Sequence, residues 1–120
     1  MLPPAARLTR GEDFRLVTRR GRKAARGTVV VYALPRPDVV QTTVGFVVSK
    51  AVGNSVVRHR VTRRLRHIMR DRLGTLPAHS SLVIRALPAA ADASSAALRT
   101  DLDAALRRLR LSGTDDGGAE

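Results

Sequence analysis

The side chains that could run acid–base or metal chemistry in this sequence are few, and their spacing keeps them apart. The three histidines are His59, His67 and His79. His59 and His67 lie eight positions apart, two turns along one side of a helix. A histidine pair can cleave RNA by general acid–base transfer, but the only acid near enough to orient either ring is Asp71. Set among arginines, a histidine reads as one more hydrogen-bond donor or stacking group. Glu12 and Asp13 fall where a helix should begin, and cap and dipole roles account for them. Asp101 and Asp103, two apart, cannot share a helix face. There is no cysteine, hence no disulfide framework and no thiolate metal site. Val52-Gly53-Asn54-Ser55 hints at a phosphate loop, yet no Gly-Lys-Ser/Thr follows. The expectation is a chain with no catalytic residue and no metal held by protein groups alone.

What the sequence has instead is arginine. Lys and Arg total 22 against 10 Asp and Glu, a net charge of +12, and only Lys23 and Lys50 are lysine. A guanidinium is a planar fork of donors suited to phosphate, where an ammonium is a point charge. With a pI near 11.8, the expected partner is a polyanion, most simply nucleic acid. The charge is concentrated in two blocks. Arg7, Arg10, Arg15, Arg19, Arg20, Arg22, Lys23 and Arg26 make the first, and Lys50, Arg58, Arg60, Arg63, Arg64, Arg66, Arg70 and Arg72 the second. A merely solvated helix face mixes its signs; the second block contains one acid, Asp71.

Other classes drop out. One hundred and twenty residues make a single domain, expected over 1–111, with the Gly- and Asp-rich 112–120 as a disordered acidic tail. The longest unbroken apolar run, Val29 to Leu34, is far short of a membrane span. The opening residues lack the apolar stretch of a signal peptide, so a cytoplasmic location is expected. Phe14, Tyr32 and Phe46 are the only aromatics, too few for a sheet that reads RNA by stacking several bases.

The positioning elements follow from pattern. Thr9-Arg10-Gly11-Glu12 fits a capping box with Thr9 as N-cap, opening a helix over about 10–20 that Gly21 stops. Thr28 to Leu34 reads as a strand broken by Pro35 and Pro37. Thr42 to Lys50 reads as a second, with Val44, Phe46 and Val48 on one face and smaller or polar residues on the other. Asn54 and Ser55 signal a helix start, and the helix runs to about Leu73. On it Val57, Val61, Leu65, Ile68 and Met69 occupy an arc of about 120°, and His59, Arg60, Arg63, Arg66, His67 and Arg70 a separate, cationic arc. Ser81 to Leu87 is a third strand. Ser94 or Ser95 caps a last helix whose apolar side is Leu98, Leu102, Ala105, Leu106 and Leu109. The order helix, strand, strand, helix, strand, helix predicts an α+β two-layer sandwich, one small sheet with helices mainly on one side. A parallel crossover through the long helix would by the general rule be right-handed.

The segment Val44 to Arg66, VGFVVSKAVGNSVVRHRVTRRLR, closely resembles the protein subunit of bacterial ribonuclease P. That family carries a strand ending in Ser-Lys, a Gly turn, then a helix with Arg-Asn-Arg, Lys-Arg and a further Arg. Glu12-Asp13-Phe14, Gly21-Arg22, Val31-Tyr32, the 82–86 strand and the Leu-rich last helix are also similar to it, so the resemblance covers about residues 7–110. Departures are Ala51 for a second lysine, His59 for the Asn, Thr62 for the Lys and His67 for an acid.

The resemblance implies a ribonucleoprotein that removes the 5′ leader of precursor tRNA, with hydrolysis by the RNA subunit and its Mg²⁺. It implies that Lys50, Asn54, Arg58, His59, Arg60, Arg63, Arg64, Arg66 and Arg70 bind the RNA subunit. It further implies a mixed sheet and a left-handed crossover, against the general rule. The leader cleft is expected on the open sheet face, at Phe14, Val30, Tyr32 and Val47, since the all-aliphatic Val29/Val31 side suits the core. The partners expected are the ribonuclease P RNA and precursor tRNA, with the chain a monomer in that assembly and no protein partner implied. The alternative is a basic ribosomal or other structural RNA-binding protein, which would share charge and fold type without the long motif. A helix-turn-helix regulator would need a short helix pair and a dimer surface instead of flanking strands, and a stand-alone nuclease would need activity without RNA.

Overall fold

The structure, a computed structural model, describes residues 4–109; the expected acidic tail at 112–120 lies outside them. The elements are α1 (Gly11–Arg20), β1 (Arg22–Ala25), β2 (Val29–Pro35), β3 (Thr43–Val47), α2 (Ser55–Arg70), β4 (Ser80–Ala86) and α3 (Ser95–Arg108), with 3-10 turns at Pro4–Ala6, Leu73–Thr75 and Pro88–Asp92. The expected α+β sandwich is present, built on one four-stranded mixed sheet in the order β1-β2-β4-β3. β1–β2 and β2–β4 are antiparallel, and β3–β4 is parallel, joined through α2.

β1 is an addition to the expected order. Its Arg-Lys-Ala-Ala has no β-branched residue and buries only Ala24, so no strand period marks it. Pairing with β2 through the tight Arg26–Thr28 turn makes it a strand, with Lys23 opposite Tyr32 and Ala25 opposite Val30.

Strand alternation divides the sheet into two unequal faces. On one, Val29, Val31, Ala33, Val44, Leu82 and Ile84 meet Val61, Leu65, Ile68 and Met69 of α2 and Leu98, Leu102, Ala105 and Leu106 of α3. This is the main core, with two helices on one side as expected. On the other face α1 lays Val17 against Val83, with Leu8 completing a small buried cluster that Phe14, Tyr32, Leu34 and Val47 partly join. Gly45 makes that contact possible. A Cβ there would collide with Cζ and Cε2 of the Phe14 ring and lie 3.1 Å from Leu8 Cβ.

The ends of the helices correct two expectations. The N-cap of α1 is Arg10, not Thr9, and no side chain caps it. Glu12 is turned outward onto Arg10 Nη2 at 2.7 Å, so it cannot complete a capping box. Asp13, beside it, lies 3.6 Å from Arg36 Nη2 and ties α1 to the loop after β2. α2 stops at Arg70 instead of about Leu73. Beyond it Arg72 leaves the helix path and forks onto both oxygens of Asp103 in α3, at 2.7 and 2.8 Å. That fork holds the Asp103 carboxyl below the usual carboxylate range, chiefly through the hydrogen bond, against the effect of burial. Asp101, on a different side of α3, accepts from the backbone N–H and hydroxyl of Thr28 at 3.1 and 2.7 Å. The two acids of α3 therefore secure two separate neighbours.

Candidate nucleic-acid interface

α2 is set by its start. Gly53 takes a φ of +157°, in the half of backbone space that favours glycine. Asn54 follows as N-cap, its side-chain oxygen accepting from Val57 N–H at 3.0 Å. With Val61, Leu65, Ile68 and Met69 buried, the other arc must face solvent. His59, Arg63, Arg66, His67 and Arg70 are exposed there, and so is Lys50 in the preceding turn. α2 contains no acid. Among the described residues the one ion pair made by these exposed side chains is Arg70 Nε with Asp71, at 3.9 Å. Such a row is able to cancel phosphate charge and release counterions.

The flanks of the arc behave differently. Arg60 and Arg64 are half-buried and face the turn before α3, where they donate to the carbonyls of Ala91 at 3.2 Å and Ala93 at 3.0 Å. Each spends one donor on fastening that turn, a use the helical wheel does not reveal. Arg58, on the opposite flank, is half-buried, and its Nε is buried without a partner among the described residues. Asn54 spends its carbonyl oxygen on the cap. Thus the nine residues expected to bind the RNA subunit come together around one helix, and four of them also build or lean on the protein.

The second surface lies on the α1 side of the sheet. Register puts Ala25, Val30, Arg85 and Val47 in one cross-strand row and Lys23, Tyr32, Val83 and Gly45 in the next. α1 covers the second row, so Tyr32 is half-buried against the small cluster, with Phe14 close by. The first row is the more open one: Val30 and Val47 are half-buried and Arg85 is exposed. Tyr32 does lie on the face opposite Val29 and Val31, as parity predicts. That face is only half open, because α1 rests on it.

Beside β3 is a cavity of about 250 Å³ lined by Arg7, Leu8, Thr9, Phe14, Val44, Gly45, Phe46, Thr62 and Arg66. It exists because residues 7–8 run along the free edge of β3, with Leu8 N–H donating to Val44 O at 3.0 Å. Of the four expected cleft residues only Phe14 lines it, while Val30, Tyr32 and Val47 lie on the adjoining sheet face. Arg7, Phe46, Thr62, Arg66 and Arg85 are the additions. Arg85 was readable as a lone charge inside the otherwise buried Leu82-Val83-Ile84-Arg85-Ala86. Arg7 was not, since only the strand edge brings it to the site.

No group of three or more His, Asp or Glu side chains converges among the described residues. His59 is exposed on α2, with no carboxylate bonded to it among the described residues. No helix among the described residues is long and apolar enough to cross a membrane.

A family model described as Ribonuclease P matches residues 2–110. The chain is 53% identical over 117 residues to a protein of Streptomyces avermitilis named ribonuclease P protein component, covering 91% of this chain and 95% of that one. It is 52% identical over 122 residues to the protein of the same name from Streptomyces bikiniensis, covering 95% and 99%. Among solved structures it is similar in fold to the RNase P protein of Staphylococcus aureus, with a TM-score of 0.82 at 21% identity over 89% of this chain and 97% of that one. It is also similar to the RNase P protein of Thermotoga maritima, with a TM-score of 0.72 at 22% identity over 82% and 92%. At those identities the structures speak for the fold alone. The family model and the Streptomyces sequences carry the assignment: the chain belongs to the ribonuclease P protein family.

Proposed function

We propose that this chain binds the RNA subunit of ribonuclease P through the outer arc of α2 and holds the 5′ leader of precursor tRNA on the α1 side of the sheet. The RNA subunit performs the hydrolysis in this reading, and the isolated chain is inactive. The assembly works in the cytoplasm with one copy of this chain in it.

The observation that carries the reading is the acid-free exposed row of His59, Arg63, Arg66 and Arg70 in a member of this family. Its guanidinium groups neutralise backbone phosphates and so let two RNAs approach each other. The sheet face contributes aromatic edges at Phe14 and Tyr32, aliphatic surface at Val30 and Val47, and a phosphate partner at Arg85. A single strand can stack and track there with little sequence reading. Arg66 belongs to both surfaces, since it is exposed on α2 and lines the cavity with Phe14 and Phe46.

Mg²⁺ bound by the RNA would supply an activated water and charge neutralisation at the scissile phosphate. In this reading the protein's part is indirect, by lowering the repulsion that otherwise demands more Mg²⁺.

The test is reconstitution. A bacterial ribonuclease P RNA is incubated with precursor tRNA at low Mg²⁺, with and without this protein, beside the protein alone. Leader release should need the RNA and be restored by the protein. Release by the protein alone, abolished by His59→Ala, would replace this reading with a protein nuclease.

A further inference from the structure

Between α2 and α3 lies a cleft of about 310 Å³, separate from the β3-edge cavity and lined by Arg63, Arg64, His67, Ile68, Ser95 and Arg99. Three guanidinium groups and an imidazole surround an aliphatic floor. Among the described residues neither Arg63 nor Arg99 has a hydrogen-bond or ion-pair partner. Arg64 is held in place by the single bond from Nη1 to Ala93 O at 3.0 Å, which leaves its other donors uncommitted. The acids nearby do not fill the cleft. Asp103, one turn beyond Arg99, attracts it through space, but both its oxygens are bonded to Arg72, and Asp92 lines the neighbouring groove with Arg60 and Arg64. Among the described residues no carboxylate is bonded to any of the three guanidinium groups, and like charges gathered this closely repel one another unless an anion enters.

We propose that this cleft seats a backbone phosphate of the RNA subunit, so that the RNA strand crosses from α2 onto α3 instead of following α2 alone. The inference rests on the reading of the α2 arc given above and adds α3, through Arg99, to the interface. Two features argue for this occupant. Arg63 and His67 belong to the outer arc as well as to the cleft, so a strand lying on the arc is continuous with it. Guanidinium forks match the geometry of a phosphate, while Ile68 beneath them offers a base edge no hydrogen bond. The contact therefore positions the RNA without reading its sequence.

Arg99 is exposed, so its replacement should not disturb folding. Affinity for the ribonuclease P RNA is measured across a salt series for wild type, Arg99→Ala, Arg99→Lys and Arg107→Ala, the last an exposed control on the final turn of α3. Arg99→Ala should bind roughly tenfold more weakly, with the log–log salt slope shallower by about one. Arg99→Lys should keep most of the affinity and Arg107→Ala all of it. The chain has no cysteine, so Ser95→Cys can carry a photo-crosslinker at the lip of the cleft, and it should attach to the RNA subunit. If wild type binds the RNA but Arg99→Ala matches it in affinity and slope, the cleft is not a phosphate seat. A crosslink to precursor tRNA alone would equally overturn the proposal. Failure of the wild type itself to bind the RNA subunit would bring down the reading of α2, and this inference with it.

Discussion

The outer arc of α2 and the α1-side face of the sheet are built in opposite ways. The arc is a row of exposed cations on one continuous helix, with the core beneath it and no packing role for Arg63 or His59. The sheet face is assembled from β1, β2, β4, β3 and α1, and most of its residues pack as well as face outward. A surface of the first kind can change its charges without changing its fold. A surface of the second kind cannot lose a side chain without some loss of stability, so binding and folding effects must be separated there.

The largest effect is expected where charge acts alone. Arg63→Ala and Arg66→Ala should each weaken RNA-subunit binding by about 1–3 kcal/mol, with melting temperature nearly unchanged. Arg66→Ala should also lower the preference for precursor over mature tRNA, because Arg66 lines the cavity beside Phe14. Arg63→Ala should not. Paired titrations with the RNA subunit and with both tRNA forms check this, and identical profiles for the two variants would erase the boundary between the surfaces.

On the sheet face, Gly45→Ala should force the Phe14 ring off the strand and cost roughly 1–3 kcal/mol of stability, as overpacking does. Adding Phe14→Ala to it should recover part of that loss, which a thermal-unfolding double-mutant cycle reads directly. RNA-subunit affinity should stay at the wild-type level in both variants. A loss of RNA binding that tracks Gly45→Ala would show that the two surfaces are mechanically one.

Tyr32 tests how the mixed face divides its work. Base–aromatic stacking is worth about 1–3 kcal/mol, so Tyr32→Ala should reduce precursor tRNA affinity about tenfold in the assembled enzyme and leave mature tRNA nearly unaffected. Tyr32→Phe, which keeps the ring, should retain most of the difference. Since Tyr32 also packs in the small cluster, circular dichroism and melting must accompany the binding data. Equal losses for both tRNA forms would make the residue structural.

The smallest effect concerns the fork from Arg72 to Asp103, which fixes the far end of α2 to α3. Asp103 has its folded-state pKa depressed by Arg72. Its contribution is therefore complete above the unfolded aspartate pKa of about 3.9 and is lost as pH falls through the lower folded value. The carboxylate is about one-third exposed, and solvent screening limits the gain to about 1 kcal/mol. Asp103→Asn should remove that amount at neutral pH and flatten the acid limb of the stability curve. Titration of unfolding from pH 6 to pH 2 for both proteins gives the comparison.

What could be read beforehand follows the same division. The arc of α2 was legible because helical period, an Asn-Ser start and a one-sign charge run are all local. Its flanks were not. Arg60 and Arg64 meet carbonyls some thirty residues away in sequence, and nothing within α2 announces them. Tyr32 could be assigned to a face by parity, but the degree of its exposure depended on where α1 comes to rest. β1 escaped notice because Arg-Lys-Ala-Ala becomes a strand only by pairing with β2. The capping box at Thr9 misled because Glu12 had a competing partner in Arg10.

By itself the sequence determined the charge, the helix that carries most of it, the α+β class and the likeness to ribonuclease P proteins. Each of these depends on composition or on periods of a few residues, which backbone geometry translates directly into faces. The tertiary structure alone decided which arginines stay exposed and which fasten a neighbouring turn, that residues 7–8 edge β3 and make a cavity, and that α2 and α3 enclose an arginine-lined cleft. These features join side chains far apart in the chain, and only the packing of one element against another sets their distances.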